Sequence, residues 1–302
     1  MQNILVLSQI SRIAEVIKPT KYLKRLGMMP FDWQEEALNP DLRRMLLLCA
    51  RQTGKSTIVA VKALNKAIYF PPALILIISP SQDKSKEIMK KIDAMMMVDK
   101  KMPELKYDAV FEKEFYNGSR IVALPGSEKS IRGYSGPSMI IIDEAARVLD
   151  ETYRASRPMM VAADTELIAL TTPFAKRGFF HQAWTEGTHW TKILVRVPWD
   201  IKDGKHFIPG PPLKELQAYW KARGVSAYYS TRHTLDFLKE EYDEGGGELW
   251  IRQEYLVEFL NVGGGIFSDE DWEDAVDDTL APMFQDEDVV DDEVDVLFGG
   301  GR

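Results

Sequence analysis

The sequence, 302 residues long, predicts an α/β protein with a mainly parallel central sheet, and three observations carry that prediction. LLLCARQTGKST (46–57) is an apolar run that breaks into a polar loop ending in Gly54-Lys55-Ser56. MIIIDEAA (139–146) is a second apolar run, and it ends in Asp143 and Glu144. Around both, apolar runs alternate with helical stretches. Continuous apolar runs mark strands buried on both faces, as in a parallel sheet covered by helices.

The elements follow in order. Residues 1–27 open with MQNILVLSQISRIAEVIK, which reads as a short amphipathic helical segment and lacks the basic start and cleavage site of a signal peptide. A helix over 55–70 stops before Pro71-Pro72. ALILIIS (73–79) is a buried strand closed by Pro80, and a helix follows it. Between Tyr107 and Leu124 three short strands surround Asn117-Gly118, a hairpin turn. After the acidic strand come a helix near 150–161 and strands in TELIALTTP (165–173) and HWTKILVRVP (189–198). Residues 211–242 read as helical, 253–260 fit either strand or helix, and no internal repeat is present.

Composition narrows the class. With 45% hydrophobic residues the chain can bury a large core as one domain or two. A single cysteine, Cys49, excludes an internal disulfide framework and reads as a small buried hydrophobe. The longest apolar stretches, such as 73–78, are too short to span a bilayer, so the sequence predicts a soluble cytosolic protein with no membrane partner. The four histidines show no zinc spacing. The net charge of −8 hides an asymmetry: residues 268–302 hold 14 acidic residues and one arginine, while the rest hold 32 acidic and 37 basic. A mildly basic body is compatible with nucleic-acid contact, and the tail reads as solvated.

The chemistry lies at two strand ends. A strand, a loop of backbone N–H groups and a helix N-terminus make an anion cradle. Gly54 permits close backbone approach, Lys55 reaches the β- and γ-phosphates, and the Ser56 hydroxyl serves Mg²⁺. Cys49 stands where the usual first glycine of such a loop would be. Carboxylates at the C-terminal end of a parallel strand sit where ligands bind. There Asp143 orients Mg²⁺ through its water shell, and Glu144 polarises the water that attacks the γ-phosphate.

Five segments in order over about residues 28–262 resemble the large (motor) subunit of viral DNA-packaging terminases. They are FDWQEEAL (31–38), ARQTGKST (50–57), LPGSEKSIRGYSGPSMIIIDEAA (124–146), LTTPFAKRGFF (170–180) and LWIRQEYLVEFL (249–260). The resemblance implies a P-loop NTPase of the additional-strand, catalytic-glutamate type, with a core over 28–200 and a small helical lid over 201–262. It implies ATP as the nucleotide, with Phe31 stacking on the base and Gln34 bonding to it. Arg51, Gln52, Thr53, Gly54, Lys55, Ser56 and Thr57 would form the nucleotide loop, with Arg51 offering a cis positive charge. Arg132 is the family-implied second arginine, acting in cis or across a subunit boundary. Thr171 and Thr172 match the coupling motif that senses the γ-phosphate.

Partners implied in the same way are double-stranded DNA, neighbouring copies in a ring on a portal, a small terminase subunit and a separate nuclease, in the host cytoplasm. The acidic stretch 263–302 does not match the nuclease domain usual in the family, so no intrinsic nuclease activity is expected. Lys176 and Arg177, after the coupling threonines, are candidates for DNA-backbone contact. Two other readings stay open on sequence: a helicase-like DNA-dependent ATPase, and a non-catalytic nucleotide-binding module.

Overall fold

The apolar runs become a nine-stranded sheet of order β11-β8-β1-β7-β6-β2-β5-β4-β3. Its strands are β1 (Arg44–Cys49), β2 (Leu74–Ser79), β3 (Leu105–Ala109), β4 (Glu112–Phe115), β5 (Arg120–Pro125), β6 (Met139–Asp143), β7 (Glu166–Thr171), β8 (Thr191–Arg196) and β11 (Val225–Tyr229). From β11 through β5 every pairing is parallel, and only the β3–β4–β5 end is antiparallel. A separate hairpin joins β9 (Trp199–Lys202) to β10 (His206–Pro209). The structure is a computed structural model and describes residues 18–125, 131, 133–160 and 165–261. Arg132, residues 1–17 and the acidic stretch 263–302 lie outside the described residues.

Why the runs are continuously apolar is visible in the two cores. Met45, Leu47, Ile75, Ile77, Ile141 and Ile168 face one cluster, while Leu46, Leu48, Leu76, Ile140, Ile142 and Leu167 face the other. Alternate residues serve opposite faces, and both faces are covered. Each fully buried isoleucine or leucine contributes roughly 1.5–3 kcal/mol, so β6 cannot slip in register without losing several such contacts.

Helices α1 (Pro19–Arg25), α2 (Asp32–Ala37), α3 (Lys55–Tyr69) and α4 (Gln82–Val98) precede the hairpin region. Later come α5 (Asp150–Ser156), α6 (Gly178–Thr185), α7 (Leu213–Lys221), α8 (Leu235–Gly245) and α9 (Gly247–Glu254). The first cluster packs under α3 and α4; Phe179, Phe180 and Trp184 of α6 pack into the second. Ser81 caps α4 by accepting from the Lys84 N–H at 3.3 Å, which starts that helix just past Pro80.

Three readings change. The segment 211–242, read as helical, is interrupted by β11, which pairs with β8 and extends the main sheet. Val225 and Ala227 are buried with the half-buried Ser226 between them, a short strand period hidden between two amphipathic helices. The stretch 201–262, read as a helical lid, is therefore mixed rather than helical. The segment 253–260 is neither one element nor the other: α9 ends at Glu254, and Leu260 then bridges Ala175. No helix among the described residues is long and apolar enough to cross a membrane.

Candidate active site

The loop after β1 is tied down before it turns. Ala50 N–H donates to Val195 O at 2.7 Å, and Arg51 N–H to Glu254 O at 2.8 Å. Thr53 Oγ1 donates to Ala50 O at 3.0 Å, so the buried Thr53 braces the loop from inside. Gln52 and Gly54 both take left-handed backbone, φ 58° and 100°. A Cβ on Gly54 would stand 3.0 Å from Gln34 Nε2, so both conformation and space call for glycine. Helix α3 starts at Lys55, with the Thr57 and Ile58 N–H groups bonded to Gly54 O.

β7 lies between β1 and β6, and the three strands end side by side. Lys55 and the acidic pair thus approach each other across an intervening strand rather than from adjacent ones. Lys55 Nζ contacts Glu144 Oε1 at 3.1 Å, with both side chains largely buried. Glu144 itself has left-handed backbone, φ 47° and ψ 46°, which costs a non-glycine residue roughly 1 kcal/mol or more. Packing at the strand end holds it there.

The two acids have opposite electrostatics. Burial, reinforced by the neighbouring Glu144 charge, pushes the Asp143 carboxyl up to about 7. Asp143 is 4% exposed, and its Oδ1 has no hydrogen-bond partner. Burial also works to raise Glu144, but the Lys55 ammonium, with help from Arg147 and Lys84, outweighs it and holds the carboxylate below its usual range. A buried acceptor without a partner fits Mg²⁺ or one of its waters. Ser56 at the head of α3 lines the cleft beside Glu144 and fits as the hydroxyl ligand, while Asp143 lies beneath the lining.

The cleft measures about 510 Å³ and is lined by Arg51, Gln52, Gly54, Lys55, Ser56, Thr57, Glu144 and Thr172 among the expected residues. Thr171 lies beneath it: its Oγ1 is 3.4 Å from Glu144 Oε2 and accepts from the Ala146 N–H at 3.3 Å. Gln34 does not reach the cleft surface. Its Oε1 accepts from the Phe31 N–H at 3.1 Å, closing the start of α2, and its amide nitrogen packs against the loop. Phe31 carries the Arg232 guanidinium over its ring at 5.2 Å. Arg132 lies outside the described residues. Lys176 and Arg177 are exposed and do not line the cleft.

Five cleft residues were not singled out from sequence: Lys84, Lys91, Arg147, Arg232 and Glu254. Arg147 donates to Glu144 Oε2 at 3.4 Å, to Thr172 Oγ1 at 3.2 Å and to Glu254 Oε1 at 3.4 Å. It therefore joins the acidic strand end, Thr172 and α9. Glu254, 3% exposed, also stands 4.0 Å from Arg51, whose guanidinium lies 5.3 Å over the Trp250 ring. Arg147 was discoverable as the cation three residues after Glu144, a spacing that brings side chains together in a helical turn. Arg232 left no such signal, because it comes from a loop after an unrecognised strand.

Six cations and two carboxylates line the cleft, an excess suited to a polyanion at a helix N-terminus. Comparison with known proteins agrees. Residues 46–274, well over half the chain, match the family described as terminase large subunit, T4likevirus-type, N-terminal. The fold is similar to the large terminase ATPase domain of Thermus phage P74-26, at TM-score 0.58 and 17% identity, covering 80% of this chain and 98% of that one. It is also similar to the large terminase of bacteriophage HK97, at TM-score 0.57 and 15% identity, covering 77% of this chain and 51% of that one. The chain thus spans about half the length of the HK97 protein. No curated protein matches it in sequence. The family match spans both Lys55 and the Asp143-Glu144 strand end, and it establishes that the chain belongs to the terminase large subunits of the T4-like type, over their N-terminal part.

Proposed function

We propose that this chain hydrolyses ATP in the cleft at Lys55 and uses the energy to move double-stranded DNA. One observation carries the reading: Lys55 and Glu144 meet at 3.1 Å in the lining of a cationic cleft, and the preceding residue, Asp143, has a buried Oδ1 with no partner.

The residues divide the work by charge. Without nucleotide, Lys55 and Glu144 neutralise each other. A triphosphate draws the Lys55 ammonium to its β- and γ-oxygens, and Glu144 is released to a water. With Lys55 turned away, burial dominates Glu144 and raises its proton affinity toward the range a general base needs. Water attacks the γ-phosphorus, its proton passes to Glu144, and the bond to the bridging oxygen of ADP breaks as phosphate leaves. Ser56 and Asp143 would hold Mg²⁺, which would neutralise charge on the phosphates when bound. Arg51 turns from Glu254 to the phosphates and stabilises charge that develops in the transition state.

Coupling runs through Arg147. It touches Glu144, Thr172 and Glu254 together, so loss of the γ-phosphate alters a set of bonds that reaches α9. Residues 201–262 act as the moving lid in this reading. Phe31 is the platform for the base once Arg232 yields its face, and Arg132 supplies a second cation in cis or from a neighbour in a ring. The ring sits on a portal in the host cytoplasm and works with a small terminase subunit. ATP turnover measured with and without duplex DNA, for the native chain and Glu144→Gln, tests the reading. Turnover by the native assembly that the substitution abolishes supports it; equal turnover in both refutes the role of Glu144.

A further inference from the structure

Arg232 belongs to the short loop 230–234 between β11 and α8. That loop is pinned on both sides of the arginine. Ser230, 4% exposed, donates its N–H to Arg196 O at 2.7 Å. His233, 7% exposed, packs its ring 5.5 Å from Tyr255 and 5.7 Å from Phe237. Thr234 then caps α8 by accepting from the Phe237 N–H at 3.2 Å. Backbone fixed in this way delivers the exposed Arg232 side chain to the cleft, whose lining it joins.

The guanidinium lies between two parts of that cleft. Its Cζ is 5.2 Å from the Phe31 ring centre and 3.8 Å from the point where a Gly54 Cβ would stand. Phe31 is the expected platform for the base, and Gly54 leads into the N-terminus of α3, where phosphates dock. The part of a nucleotide between its base and its β-phosphate is the ribose with the α-phosphate. Four other cleft cations already have carboxylates: Arg51 with Glu254, Lys55 with Glu144, Lys84 with Glu87, and Arg147 with both Glu144 and Glu254. Among the described residues no carboxylate pairs with Arg232, which rests on the Phe31 ring instead. An exposed ring face holds a cation weakly, whereas a phosphate accepts paired, charge-assisted bonds from a guanidinium.

We propose that Arg232 is the contact for the α-phosphate of the nucleotide, resting on Phe31 until the base takes that ring face and then passing to the phosphate. The assignment rests on ATP as the ligand of this cleft. It divides the triphosphate between two cations from opposite ends of the chain, Lys55 for the β- and γ-oxygens and Arg232 for the α-oxygens.

Calorimetric titration of the full chain with ATP and with ADP, each with Mg²⁺, tests it on the native protein, Arg232→Met, Arg232→Lys and Lys55→Ala. Arg232→Met keeps a flexible apolar stem against Phe31 and loses the charge. It should weaken ATP and ADP by the same factor, roughly tenfold or more, because both carry the α-phosphate. Arg232→Lys, which keeps a point charge, should bind both more tightly than Arg232→Met does. Native affinity in Arg232→Met overturns the proposal, and so does Arg232→Lys binding no better than Arg232→Met. A loss confined to ATP also overturns it, because the contact would then be to the γ-phosphate. Lys55→Ala keeps the two readings apart. ATP binding that Lys55→Ala weakens and Arg232→Met does not refutes the role of Arg232 alone, whereas a native protein that binds neither nucleotide refutes the ATP reading and this assignment together.

Discussion

Asp143→Asn should stabilise the nucleotide-free protein above neutral pH and, under the proposed function, abolish ATP turnover. The carboxyl is 4% exposed, its Oδ1 has no partner, and burial with the adjacent Glu144 charge raises its pKa from 3.8 to about 7. A folded-state pKa above the unfolded one means the native state binds the proton more tightly. The group therefore favours folding fully below about pH 4, and that advantage is lost as pH rises through 7. Each pKa unit corresponds to about 1.4 kcal/mol, so about three units set a ceiling near 4 kcal/mol. Part of this is repulsion shared with Glu144, which leaves about 2–4 kcal/mol for the isosteric amide to recover at pH 8. Urea unfolding of both proteins from pH 4 to 8.5, without nucleotide or Mg²⁺, measures the gap. It should be near zero at pH 4 and widen toward pH 8. A gap that is absent at pH 8, or widest in acid, refutes the account of Asp143 as an uncompensated buried carboxylate.

Three other substitutions probe the remaining parts of the cleft. Glu144→Gln should retain ATP binding and lose about 10²–10⁴ in turnover, read as ADP release at saturating ATP; a loss below twofold removes Glu144 from the chemistry. Lys55→Ala strands the Glu144 charge, so equilibrium unfolding at pH 7 should show a loss of roughly 3 kcal/mol alongside weaker nucleotide binding; unchanged stability would show that the Lys55–Glu144 contact is energetically idle. Gly54→Ala forces a side chain into φ 100° and to within 3.0 Å of Gln34 Nε2, and should cost roughly 1–3 kcal/mol. Pairing it with Gln34→Ala recovers only the contact portion, and complete recovery would mean the backbone conformation carries no strain.

Much of the fold was legible because burial on both faces writes itself as uninterrupted apolar residues. Leu46–Cys49, Ile75–Ile78 and Ile140–Ile142 have no other economical placement, and each sits in the central sheet. β11 escaped because an edge strand pairs on one side only, and its Val225-Ser226-Ala227-Tyr228-Tyr229 pattern merges with amphipathic flanks. Lys55, Ser56, Asp143 and Glu144 were legible for a different reason. Their chemistry needs short contiguous patterns at a strand end, and a contiguous pattern survives in one dimension. Arg147, Glu254 and Arg232 converge on the cleft from separate segments, and only tertiary structure brings those segments together.

That contrast bears on how such a site can switch. Lys55 opens α3 and the acidic pair closes β6, both against the packed core, where displacing β1 or β6 would break register with β7 between them. The arginines around them have no such restraint. Arg51 is half-exposed, and its guanidinium rests on Trp250 and reaches Glu254 only at 4.0 Å, a weak hold that a triphosphate can displace. Arg147 divides itself among three acceptors at 3.2–3.4 Å, none short enough to fix it alone. Rigid acids beside loosely held arginines make a site in which the nucleotide rearranges cations rather than the frame. In the proposed cycle the first consequence of hydrolysis is a redistribution of Arg51 and Arg147 around Glu254, with the mechanical output at α9 rather than at the phosphate loop.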